Sequence, residues 1–150
     1  MSDVQESKIT DEHRARIGVP SDPVEVTIRE EDAKRVRDLL GDTDPRYADG
    51  TGIAPPYTIA VIDPGFPRAF APQVLPGGIL TQTEWRFYKP LRIGAKLTAV
   101  HRVVDIRDRL GGRYGYSVLV MTETEYRDED GELVVSTFRT ATQFDRSPQP

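Results

Sequence analysis

The sequence predicts an α+β domain in which an antiparallel sheet covers a short helix. Three observations lead there. The second half of the chain holds four long stretches of strand character joined by tight turn signals, which implies an antiparallel meander. One amphipathic helical stretch, EEDAKRVRDLL, precedes them. Between the two lies IAPPYTIAVI, where proline suits a first helical turn and Ile59, Ala60, Val61 and Ile62 form an apolar run. A sheet with one apolar face needs a cover, and this short helix is the natural one.

The elements follow in order. Residues 1–20 are expected to form a loosely held tail, residues 21–146 a single domain and residues 147–150 a second tail. PVEVTI alternates Val24, Val26 and Ile28, a short strand. Thr27 and Glu30 have the spacing of a capping box for the helix that follows. Ala33, Val36, Leu39 and Leu40 share its apolar face, and Gly41 ends it. DPGFPRAFAPQVLPGG, rich in proline and glycine, reads as a long loop from Asp63 to Gly78. TQTEWRFYKPL, KLTAVHRVVDIRDRL, YSVLVMTETEYRD and ELVVSTFRTATQF are the four strands, with LGGRYG and DEDGE as turns between them.

Composition excludes several function classes. The chain of 150 residues has a formal charge of −4, so it lacks the basic footprint of a general nucleic-acid binder. It contains no cysteine, which removes disulfides, thiol nucleophiles and thiolate metal sites. Its histidines, His13 and His101, lie far apart with no ligand spacing around them, so no metal is expected. Neither a signal-peptide core nor a membrane span is visible, and the expectation is a soluble cytoplasmic protein.

Four segments carry a resemblance: LLGDTDPRYAD, IAPP, EWRFYKPLRIGAKLTA and ETEYRDEDGELVVS. In this order and spacing the chain resembles the MaoC-like hot-dog family, most of all its N-terminal, FAS1-like dehydratase-type domain. The resemblance covers roughly residues 22–145. It implies a curved antiparallel sheet wrapped around a central helix, pairing of two such units edge to edge, and an acyl thioester bound at the seam. The family's hydratase motif is G-D-x-N-P-x-H-x-D. Gly41, Asp42, Pro45 and Asp49 match it, Asp44 stands for the asparagine, and Tyr47 stands for the histidine.

That last departure decides the chemistry. Hydrating an α,β-unsaturated thioester needs a base for water, an acid for the α-carbon and donors for the developing enolate oxygen. Histidine suits proton shuttling because it titrates near neutral pH, whereas a tyrosine titrates near ~10. Asp42 is the candidate catalytic residue, weakened by Tyr47 beside it; otherwise it is a turn residue satisfying local backbone N–H groups. Tyr47 is a candidate pocket-lining donor or a packing aromatic. Tyr57 and Thr58 supply the N–H groups at the start of the helix after Pro55 and Pro56, where a thioester oxygen could sit. Arg86, Lys89 and Arg92 are candidates for the phosphates of coenzyme A or a carrier arm, or else solvated strand charges. His101 is expected to be a satisfied sheet histidine, and His13 an exposed tail residue.

The resemblance therefore implies a subunit of an enoyl-thioester (acyl-CoA) hydratase or dehydratase without its histidine. Such a subunit shapes the acyl pocket while a catalytic hot-dog partner supplies the proton transfers. A self-sufficient hydratase or thioesterase, and a non-enzymatic acyl-CoA-binding homo-oligomer, are the rival readings. All three expect a dimer or larger assembly, and none calls for a cofactor beyond the thioester itself.

Overall fold

The computed structural model describes residues 6–67 and 70–146. The expected C-terminal tail, residues 147–150, lies outside them. A five-stranded antiparallel sheet runs β1 (Val24–Thr27), β5 (Lys96–Leu110), β6 (Tyr116–Arg127), β7 (Leu133–Phe144) and β3 (Gly77–Phe87). A two-residue ladder joins β2 (Ile53–Ala54) to β4 (Leu91–Arg92). Among the described residues three α-helices accompany it: α1 (Asp11–Arg14), α2 (Glu30–Leu40) and α3 (Ile59–Ile62).

Only β5, β6 and β7 form the expected meander. β3 does not pair with the next long strand, β5; the chain crosses the sheet and β3 lies beside β7. The strand also begins earlier than expected, taking Gly77 and Gly78 from the long loop. Gly77 is required there: a Cβ would stand 2.7 Å from the Phe144 ring and 2.8 Å from the Phe144 carbonyl.

Alternation sorts the inward side chains. Along β6 they are Val118, Val120, Thr122, Thr124 and Tyr126; along β5 they are Leu97, Ala99, His101 and Val103. A bulge between Val103 and Asp105 shifts the phase and keeps Ile106 inward. These residues form two apolar clusters. One gathers Leu97, Ala99, Tyr126 and Val135 with Ile28, Ala33 and Ile59. The other gathers Val103, Ile106, Val118 and Val120 with Ile9 and Leu75. Between them the inward positions are polar: His101, Thr122, Thr124, Thr137 and Arg139.

The central helix is a single turn of α-helix, α3, entered through a 3₁₀ turn at Pro56–Thr58. Ile59 is its anchor at 1% exposure, a burial that stabilises by ~1.5–3 kcal/mol. α2 covers the sheet beside it through Ala33 and Val36. Leu39 and Leu40 do not join that face, being 81% and 61% exposed. The expected capping box at Thr27 and Glu30 is also absent, because Thr27 is still in β1, opposite Lys96, and the helix starts after Arg29 with no side-chain cap. A capping box forms instead at Thr10 and His13, opening α1.

Residues 6–20 are not the loose tail that their polarity suggests. Ile9 is buried, Ile17 bridges Val103, and the Gly18 N–H donates to the Val103 carbonyl at 2.8 Å. Ile9 and Ile17 pack on the second cluster, and the Lys8 N–H donates to the Tyr116 hydroxyl at 2.9 Å.

Candidate functional site

The residues of LLGDTDPRYAD fold into a self-tied loop. Gly41 closes α2 in the left-handed region, φ +64°, a conformation that glycine adopts without a Cβ penalty. The next residue, Asp42, is held on both oxygens. The Asp44 N–H donates to Oδ1 at 2.9 Å, and the Tyr57 hydroxyl donates to Oδ2 at 2.6 Å. Asp44 caps the 3₁₀ turn Pro45–Tyr47 by accepting the Arg46 N–H at 3.0 Å, and it also takes the Arg46 guanidinium at 2.6 Å. Arg46 lies over the Tyr47 ring at 5.3 Å. Asp49 pairs with Arg37 at 2.5 Å, fastening the loop back to α2.

Electrostatics follow from these contacts. The Tyr57 hydroxyl, and then the Asp44 N–H, hold Asp42 below the usual carboxylate range. Burial, followed by the negative charge of Asp42, pushes Tyr57 up to about 12. An ionised Asp42 and a neutral Tyr57 are therefore the stable pair at neutral pH.

The loop forms one wall of a groove. Two adjoining hollows, about 500 and 640 Å³, share Arg46, Tyr47, Pro56 and Phe87. The first is walled by Asp42, Tyr57, Ile59, Ala60 and Trp85. The second is walled by Ile53, Ala54, Leu91, Tyr88 and Lys89. The lining is mostly apolar with a few polar groups, as is usual for a small-molecule site. A separate depression at the start of α2 carries charges already paired, Arg29 with Glu31 inside it and Lys34 with Asp38 beside it.

The structure brings Asp42, Tyr47 and Tyr57 together on this groove. It does not bring Thr58 there. Thr58 is fully buried, and its N–H is spent on the Pro55 carbonyl at 3.0 Å. The three basic residues do not converge either. Arg86 faces the opposite side of the sheet, with Glu84 and Ser136, and pairs with Glu84 at 2.7 Å. Lys89 reaches the groove but is paired with Asp128 and Glu132. Arg92 lines a different depression, which Lys89 also borders, beside Asp128 and Asp130.

His101 lies inside the sheet, away from the groove walls, at 0% exposure. Its Nδ1 is 2.7 Å from Thr124 Oγ1, and the Phe66 ring packs edge-on at 5.1 Å. Its Nε2 has no partner among the described residues. Burial lowers its pKa; Asp63 opposes this in part, and Arg139 adds the smallest lowering effect. His13 is half-buried in the α1 capping box. Among the described residues no three His, Asp or Glu side chains converge as metal ligands.

Sequence reasoning missed Trp85, Phe87 and Arg46 as groove walls, and the buried set behind them. Arg139 and the Tyr126 hydroxyl both donate to the Asp63 carboxylate, and Arg139 also lies 5.5 Å over Trp85. The signal was present in STFRTATQF. Val135, Thr137 and Arg139 alternate on one face, so an inward Val implies an inward Arg.

A family model, the FAS1-like dehydratase domain region, matches residues 15–137. The chain belongs to the FAS1-like dehydratase family. Solved structures share its fold. The ChsH1–ChsH2 complex from Mycobacterium tuberculosis aligns at TM-score 0.75 and 17% identity, over 93% of this chain and 90% of that one. The C-terminally truncated HadBC complex (3R-hydroxyacyl-ACP dehydratase) from the same organism aligns at 0.62 and 17%, over 89% and 98%. A MaoC-like dehydratase from Rhodospirillum rubrum aligns at 0.57 and 20%, over 88% and 94%. No match was found among curated proteins. The fold of this FAS1-like domain is thus the hot-dog fold, a curled antiparallel sheet with few helices. Among the described residues no helix is long and apolar enough to cross a membrane.

Proposed function

We propose that this chain is the non-catalytic subunit of an enoyl-thioester hydratase or dehydratase. It shapes the acyl groove while a second hot-dog chain performs the proton transfers. One observation carries the reading. The carboxylate at the motif's aspartate position, Asp42, already accepts hydrogen bonds from Tyr57 and the Asp44 N–H, and among the described residues no histidine lines the groove. A carboxylate spent in this way, with its pKa lowered, is a poor base for water.

The groove also lies beside an open sheet edge. β3 has eleven residues and pairs with β7 on one side only, among the described residues. Ile79, Leu80, Phe87 and Tyr88 are exposed on or just after it. An unpaired edge with apolar side chains favours strand addition by a partner. A hot-dog partner added there brings its own loop to the mouth of the groove. That two of the similar structures are complexes of two chains supports the reading. The acyl chain would lie along Ile59, Ala60, Trp85 and Phe87. Water would add at the β-carbon and a proton at the α-carbon, both delivered by the partner's groups.

The test is hydration of crotonyl-CoA and a longer enoyl-CoA, followed by loss of enoyl absorbance. The chain alone is expected to give no turnover, and the chain with its catalytic partner to give turnover. Tight acyl-CoA binding with no turnover beside any hot-dog partner would favour the non-enzymatic reading.

A further inference from the structure

The buried polar belt between the two apolar clusters has no role in the groove chemistry above, yet it touches the groove at one point. Asp63 caps the C-terminus of α3, its N–H bonded to the Ile59 carbonyl at 2.8 Å. Its side chain is 7% exposed and receives Arg139 from β7 and the Tyr126 hydroxyl from β6. Arg139, 15% exposed, spreads over Trp85 on the neighbouring strand β3. The two are diagonal neighbours, since Trp85 is in register with Thr137 and Arg139 with Thr83. Trp85 in turn walls the apolar hollow of the groove beside Ile59 and Ala60. Behind it in register stands Thr137, whose buried Oγ1 has no partner among the described residues.

On the reading of the groove as an acyl site, we propose that Arg139 is a positioning residue that pins Trp85 as the inner wall and so sets the length of acyl chain accepted. Asp63 accepts the guanidinium's hydrogen bond, and the guanidinium carbon lies 5.5 Å over the indole. A guanidinium between a carboxylate and an aromatic face has little rotamer freedom left. The indole is therefore fixed, and a chain entering between Ile59 and Phe87 stops against it. Chains long enough to need the space behind Trp85 meet both a fixed ring and a polar strip of Thr137 and Thr124.

Trp85 is the sole tryptophan of the chain, so its emission reports on the wall directly. The experiment compares wild type, Arg139→Lys and Trp85→Ala. Lysine keeps a cation for Asp63 but loses the flat stack on the indole. Time-resolved anisotropy of Trp85 is measured without ligand. Affinities for butyryl-, octanoyl- and dodecanoyl-CoA are measured by calorimetry. The expected result is a rigid indole in wild type, a fast added motion in Arg139→Lys, and a several-fold shift of preference toward the longer chains in both variants. If Arg139→Lys does not fold, the neutral pair Asp63→Asn/Arg139→Gln takes its place, because it leaves no buried charge. Unchanged anisotropy in the Arg139 variant, or an unmoved length preference in Trp85→Ala, overturns the proposal. If the wild type binds no acyl-CoA of any length, the acyl reading fails and the length-setting role falls with it. The anisotropy then still decides whether Arg139 holds the indole.

Discussion

The Tyr57 hydroxyl donates to Asp42 Oδ2 at 2.6 Å, joining the residue after the Gly41 cap of α2 to the turn that opens α3. This bond occupies the carboxylate that the hydratase motif would use for water. It also fixes the shape of the groove wall, since Asp42 in turn holds the Asp44 N–H.

Tyr57→Phe should loosen that wall. The carboxyl of Asp42 should move up toward its ordinary value of 3.8, because its largest lowering influence is gone. The melting temperature should fall by a few degrees, and affinity for acyl-CoA should weaken. Carbon-13 NMR titration of the Asp42 carboxyl checks the first point, and thermal denaturation the second. An unshifted titration would mean that the bond is not formed in solution.

Removing one partner of the buried Asp63–Arg139 pair should be costly. Asp63→Asn leaves the Arg139 cation beside a neutral amide, and breaking a buried pair in this way costs about 3–5 kcal/mol. Asp63→Leu combined with Arg139→Met should recover much of that loss. Chemical denaturation of the two variants measures both. Equal instability in the double variant would assign the loss to packing instead of charge.

Stability should also depend on pH through His101. Burial holds its folded pKa below the ordinary 6.5, with Asp63 and Arg139 as the charged groups facing it. The unfolded chain then binds the proton more tightly than the folded one. Stability is fully present above about pH 6.5 and is lost as pH falls from there toward the lowered folded value. Melting temperatures recorded from pH 8 down to 5 should show this fall, and His101→Gln should flatten it. A wild-type profile with no slope in that window would contradict the buried, neutral histidine.

Gly77→Ala should destabilise the start of β3. Its Cβ would stand within 3 Å of both the Phe144 ring and the Phe144 carbonyl, so the strand must move. Overpacking of this kind costs about 1–3 kcal/mol. Hydrogen exchange of the β3–β7 amides gives the local readout, with faster exchange expected from Ile79 to Leu80.

Much of the fold was legible because strand alternation and turn chemistry are local. Tyr116–Arg127 and Leu133–Phe144 announce themselves by period two and by Asp130-Gly131 between them. The place of β3 was not legible, because which edge a strand joins depends on contacts formed across the whole sheet. The docking of residues 6–20 was hidden for a similar reason, resting on Ile9 and Ile17 within a polar stretch. At the site, the motif located Asp42 and Tyr47, while the structure sets Arg86 apart from Lys89 and Arg92, which share a depression. Arg86 lies in β3, Lys89 follows that strand and Arg92 lies in β4, so a run of basic residues in sequence does not make one basic face.

The most direct measurement is hydration of crotonyl-CoA by the purified chain, alone and with a catalytic hot-dog partner. No turnover alone and turnover with the partner would agree with a subunit that shapes the groove. Turnover by the chain alone that disappears in Asp42→Asn would contradict it.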